Sequence, residues 1–261
     1  MRKLTALAVA GVVCMAMQVS AQTPAQAPAQ PKASAAPKTG AGAKTGAAAA
    51  RPYDRVLLRP ALLKDKAPET YQVKFSTTRG DFTLTVTRAW APIGADRFYN
   101  LVKHHFYDNA TVFRVVPGFV AQFGLSAYPP VSAAWKNANL KDDPVTQSNK
   151  KGYITFATAG PNTRTTQVFI NLVDNERLDK MGFAPFGQVT AGMHAIDLFY
   201  DQYGDASGPD QDQIEKQGKP YLDKGWPKLD IINSATLIGE TTAPVAKKAP
   251  TVKAAPAPKN P

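Results

Sequence analysis

One arginine stands in this sequence where a charge is expensive. Arg114 falls in the run from Val112 to Gly124, VFRVVPGFVAQFG, whose apolar residues alternate like a strand. A guanidinium beside an apolar wall needs an acceptor, because desolvated charge is costly when unpaired. A bound substrate would supply one. A second run, FATAGPNTRTTQVFI from Phe156 to Ile170, and a third, FYNLVKHHFYD from Phe98 to Asp108, complete the chemically suggestive segments. Nucleophilic and metal chemistry have little to draw on. The three histidines, His104, His105 and His194, fall on or beside expected helices and are read as surface or capping residues. No serine lies in a nucleophile-elbow motif, and the one cysteine, Cys14, lies near the N-terminus. Neither a metal nor a cofactor is expected.

The elements that must position Arg114 read as mostly strand. Alternation marks 71–77 and 82–87 around a turn at Arg79-Gly80-Asp81, a hairpin pattern in which glycine's backbone freedom explains the triplet without an adhesion receptor. Further strands are expected near 112–115, 119–122, 153–158, 167–171, 186–189 and 229–237. Pro92 opens a helix with Phe98, Leu101 and Val102 on one face and Asp96, Arg97, Asn100 and Lys103 towards water; a second helix covers 193–200. Two polar stretches, 125–150 and 201–224, exceed ordinary loop lengths and should carry structure or function of their own. The acids Asp201, Asp205, Asp210, Asp212 and Glu215 in the second lack calcium-loop spacing. Periodicity alone leaves barrel and sandwich unresolved.

In order and approximate spacing, the three quoted runs resemble the cyclophilin family of peptidyl-prolyl cis-trans isomerases, over a stretch from about Glu69 to Ile238. The resemblance implies a mainly β fold, a closed eight-stranded antiparallel barrel with two capping helices. It implies that Arg114 is the catalytic arginine, that Phe119, Val120, Phe169 and Leu178 hold a proline ring, and that Gln122 and Gln167 orient the arginine and the peptide. Ala157, Thr158 and Ala159 would pair their backbone with the substrate as an added strand. Phe113, where many members have histidine, joins the expected substrate contacts. Other departures are Val120 for methionine, Phe123 for glycine, Thr158 for asparagine and Arg177 for an aromatic residue.

Composition sets the context. Arg2 and Lys3 precede an apolar stretch and the small residues Val19-Ser20-Ala21, the pattern of a secretory signal occupying residues 1–21. Its cleavage would leave a chain without thiols and without an integral membrane segment. Residues 22–50 and 239–261 consist largely of Ala, Pro, Lys, Gly and Thr, too poor in apolar bulk to offset chain entropy, and read as a disordered linker and tail. Residues 51–67 form a lead-in and 68–238 the cyclophilin-like domain. The formal charge of +11 sits mainly in the flanks: Arg2 and Lys3 belong to the signal, three lysines to 22–50, and four lysines against Glu240 to 239–261. The centre keeps +3, which gives no reason to expect nucleic-acid binding.

The expected function follows: a monomeric isomerase, periplasmic or secreted, acting on proline-containing unfolded or extended polypeptides. The alternative is a non-catalytic peptide- or protein-binding module of the same fold, for which the departures at Val120, Phe123 and Arg177 speak.

Overall fold

A computed structural model of the chain describes residues 52–241. The expected signal, linker and most of the tail lie outside the described residues. Strand β1 (Thr70–Thr77) buries Tyr71, Val73 and Phe75, and β2 (Gly80–Thr87) buries Phe82, Leu84 and Val86. The register sets Phe75 opposite Phe82, and their rings stack 4.7 Å apart. The connecting turn is Thr78-Arg79, closed by Gly80 at φ +114°. Arg79 donates from Nε to Asp230 at 2.8 Å, so this arginine of the Arg-Gly-Asp triplet is committed to a structural ion pair.

The remaining strands are β3 (Ala110–Thr111), β4 (Arg114–Val116), β5 (Val120–Phe123), β6 (Tyr153–Phe156), β7 (Val168–Asn171), β8 (Pro185–Ala191) and β9 (Ile231–Thr241). They form one antiparallel sheet in the order β3-β9-β1-β2-β8-β6-β7-β5-β4. Two expectations are corrected. Among the described residues there are nine strands rather than eight, and the sheet curls into a half-barrel rather than closing. Both differences arise at Val112-Phe113, where the chain leaves the ladder between β3 and β4. Val112 packs into the main core and Phe113 into a separate cluster, so no single strand carries the pairing from β9 across to β5.

Five α-helices rather than two occur among the described residues: α1 (Pro92–Lys103), α2 (Pro129–Trp135), α3 (Met193–Asp197), α4 (Gln211–Gln217) and α5 (Lys219–Gly225). The additional three come from the two long polar stretches, which do carry structure. Helix α2 buries Trp135, whose indole donates to the Leu57 carbonyl at 2.8 Å and ties the lead-in to the domain. Helix α1 has Pro92 at its start and no side-chain cap from its preceding residue, Ala91. Asp143 fills that role from a distant loop, accepting from the N–H groups of Ile93 and Gly94 at 2.9 and 2.8 Å. Asn100, expected to face water, is buried instead. The lead-in lies across α1, and the Asn100 amide accepts from the Asp65 N–H at 3.1 Å and donates to the Asp65 carbonyl at 2.7 Å. Among the described residues no helix is long and apolar enough to cross a membrane.

Candidate active site

Strand β4 alternates, sending Val115 into the core and Arg114 to the other face. Directly across the ladder from Arg114 stands Gln122 on β5, the close cross-strand position from which side chains interact. Arg114 donates from Nη1 to Gln122 Oε1 at 3.1 Å, and Gln122 donates from Nε2 to Gln167 Oε1 at 2.8 Å. Gln122 is buried, and this relay engages both ends of its amide.

Beside the guanidinium opens a cavity of about 300 Å³. Its base is the buried trio Val120, Phe169 and Leu178, against which Phe119, Ala157 and Phe183 pack. Phe183 meets Phe169 edge-on, with ring centroids 5.7 Å apart. Arg114 lies 5.8 Å from the Phe119 ring centre and Arg177 covers the same ring at 4.7 Å. Hence the arginine at position 177 replaces an aromatic wall with a cation at the cavity rim. A second cavity of about 290 Å³ adjoins the first through Gln122, Ala157 and Thr158, and adds Ala159, Thr163 and Gln167. Together they make a groove with one greasy and one polar compartment.

Ten of the eleven residues singled out from the sequence therefore line this groove: Arg114, Phe119, Val120, Gln122, Ala157, Thr158, Phe169 and Leu178 around the first cavity, Ala159 and Gln167 around the second. The exception is Phe113. As Arg114's neighbour in the chain it points away, and it is sealed with Leu125, Ile214, Leu222 and Leu229 beneath the 201–224 segment. It lines neither cavity of the groove, unlike the other residues expected to contact substrate. Along the edge of the groove, the Ala157 N–H is used on the Gln167 carbonyl and the Ala159 N–H on Thr163 Oγ1, both at 2.9 Å. Among the described residues the Thr158 N–H, between them, has no acceptor.

The sequence reading missed Asp205. Its carboxylate grips the outer edge of Arg114, accepting from Nε at 2.5 Å and Nη2 at 3.1 Å. The hydrogen bond from Arg114 holds this carboxyl below the usual carboxylate value. Only the unusual length of 201–224 pointed that way. The other acids of the segment are also engaged: Asp210 caps α4 through the Gln213 N–H, while Asp212 and Glu215 pair with Lys136.

Comparison with known proteins agrees with this geometry. A peptidyl-prolyl cis-trans isomerase of Acinetobacter baylyi is 30% identical over 148 residues, covering 54% of this chain and 78% of that protein. Peptidyl-prolyl cis-trans isomerase B of Escherichia coli is 28% identical over 176 residues, covering 64% of this chain and 99% of the relative. A crystal structure of a cyclophilin-type isomerase from Cryptosporidium parvum superposes with a TM-score of 0.51 at 19% identity, over 66% of this chain and 99% of the other, and shares the fold. Residues 72–219 match the model of the cyclophilin type peptidyl-prolyl cis-trans isomerase family, and the chain belongs to that family.

Proposed function

We propose that this protein catalyses rotation about X-Pro peptide bonds in the groove beside Arg114 and thereby assists the folding of exported proteins. Resonance sets a barrier of about 18–20 kcal/mol to peptide rotation. No covalent bond has to break; the catalyst must favour the twisted amide over the planar one. The cavity over Val120, Phe169 and Leu178 takes the proline ring out of water. The free Thr158 N–H receives the flanking chain as a short added strand. Arg114, steadied by Gln122, then donates a hydrogen bond to the prolyl amide. Its donation is strongest when the nitrogen lone pair is released from resonance, as happens only when the bond is twisted. Supporting this reading above all is a fixed guanidinium at the lip of a ring-sized apolar socket.

A protease-coupled assay on an Ala-Pro-Phe peptide tests it. Arg114→Ala should lower kcat/KM by about 100-fold, the loss typical of a deleted transition-state donor; an unchanged rate would reject the mechanism. Activity should survive metal chelation, since no step uses a metal. Export rests on residues 1–21, a cleavable secretory signal by composition. Mature protein recovered outside the cytoplasm with Gln22 as its first residue is the expected result, and full-length protein retained in the cytoplasm would refute it. The protein acts as a monomer, which sedimentation checks.

A further inference from the structure

A further cavity lies apart from the groove. It measures about 680 Å³ and lies between the lead-in, helix α1 and the segment that follows α2. It shares no lining residue with either compartment of the groove. Its walls are largely apolar, from Pro60, Leu63, Ile93, Ala134 and Leu140, and Ile93 stands exposed beside it.

Arg97 lies in this cavity's wall with its charge unanswered. Its Nη1 donates to the carbonyls of Ala138 and Thr165 at 2.8 and 2.9 Å, and its guanidinium sits 4.9 Å from the Trp135 ring centre. Among the described residues, Nε and Nη2 have no acceptor and no carboxylate lies within ion-pairing distance of Arg97. The two acids in the same wall already have cations of their own: Asp96 takes a two-point bond from Arg88 at 2.7 and 2.8 Å, and Asp65 accepts from Lys103 at 2.7 Å. Burial lowers the Arg97 pKa to about 10, as expected for a desolvated cation without a counter-charge.

A half-buried guanidinium with unused donors at a mostly apolar wall matches a planar, two-oxygen acceptor carried on an apolar body. We propose that this cavity binds a carboxylate of that kind, such as the free C-terminus of a polypeptide ending in an aliphatic residue. The carboxylate lies against the open donors of Arg97 and the terminal side chain lies against Leu63, Ile93 and Leu140. The site is separate from the groove, so the ligand does not compete with a prolyl substrate.

Calorimetric titration of the full chain with acetyl-Ala-Ala-Asn-Ala-Leu as the free acid, its C-terminal amide, and N-acetyl-leucine tests the site. The free acid should bind about tenfold or more tighter than the amide, the difference expected for a charge-assisted hydrogen bond. N-acetyl-leucine separates the sources: weaker binding than the peptide identifies a chain end, and equal binding identifies a free aliphatic acid, both within the proposed chemistry. Arg97→Gln should abolish the preference for the acid. Because Arg97 also ties two backbone carbonyls together, Asn139→Glu serves as a second variant. Asn139 is exposed in the cavity wall, and a carboxylate placed there should weaken acid binding about tenfold while leaving isomerase activity unchanged. Equal affinity for acid and amide, no binding of either at millimolar concentration, or acid binding untouched by Asn139→Glu would overturn the proposal.

Discussion

Asp205→Ala should raise kcat/KM on a short prolyl peptide, by at most about fivefold. Arg114 spends Nε and one Nη2 hydrogen on Asp205 and one Nη1 hydrogen on Gln122. A substrate amide that approaches the outer edge of the guanidinium must displace the carboxylate. The displacement is cheap, because the Asp205 side chain is 63% exposed and the Arg114 side chain 25%. Pairs of this kind are worth about 0.2–1 kcal/mol after screening, and about 1 kcal/mol corresponds to a factor of about five. Removing the competitor leaves the Gln122 relay in place, so the guanidinium keeps its aim. Exchange spectroscopy by NMR on a Suc-Ala-Pro peptide reads the rate without a coupling protease and works across pH. The Arg114 hydrogen bond lowers the Asp205 pKa from 3.8, so the pair is fully formed above that value and is lost as pH falls through the still lower folded value. The ratio of variant to parent should therefore be constant from about pH 5 to 8 and approach one only under strongly acidic conditions, below the ordinary carboxylate range. A fall in kcat/KM of tenfold or more would refute this reasoning, because the carboxylate would then be positioning the guanidinium rather than competing for it. An unchanged rate at neutral pH would refute it as well.

Three further outcomes can be measured. Asp143→Ala removes the cap of α1 and one of the two carboxylates on the buried Arg164, which keeps Asp142 at 3.2 Å, so urea denaturation should show a loss of about 1–3 kcal/mol. Gly124→Ala should destabilise the domain by more than about 1 kcal/mol: the backbone sits at φ +109° and an added Cβ would lie 2.5 Å from the Thr166 carbonyl oxygen, a clash visible as a lowered Tm. Leu178→Ala hollows the floor of the socket, and KM for a prolyl peptide should rise severalfold while the Arg114–Gln122 relay keeps most of kcat; a larger loss in kcat than in KM would count against the ring-binding role.

Much of the sheet was legible in the residues alone, and most of the groove in the resemblance that three runs of them carry. Alternation is a local property, so Tyr71, Val73 and Phe75 announced their strand, and the spacing of Phe98, Leu101 and Val102 announced α1. Phe113 lies just before β4, outside the ladder, and its side chain packs in a cluster apart from the groove. The matching run alone favoured a site role for Phe113, and only the position of α4 and α5 showed what covers it. Closure of the barrel was likewise undecidable locally, because whether Val112-Phe113 stays in the ladder depends on the two clusters competing for those side chains.

The amino-acid order by itself determined which residues carry strands and which side chains share a face, because neighbours two to four positions apart share a face in any regular element, while the groove residues were named only through the resemblance of three ordered runs to a known family. Tertiary structure alone decided that Asp205 reaches back 91 positions to Arg114, that Asp143 caps a helix 49 positions away, that Asn100 is covered by the lead-in, and that Arg97 faces a cavity without a counter-charge. These are pairings through space, and no local period records them.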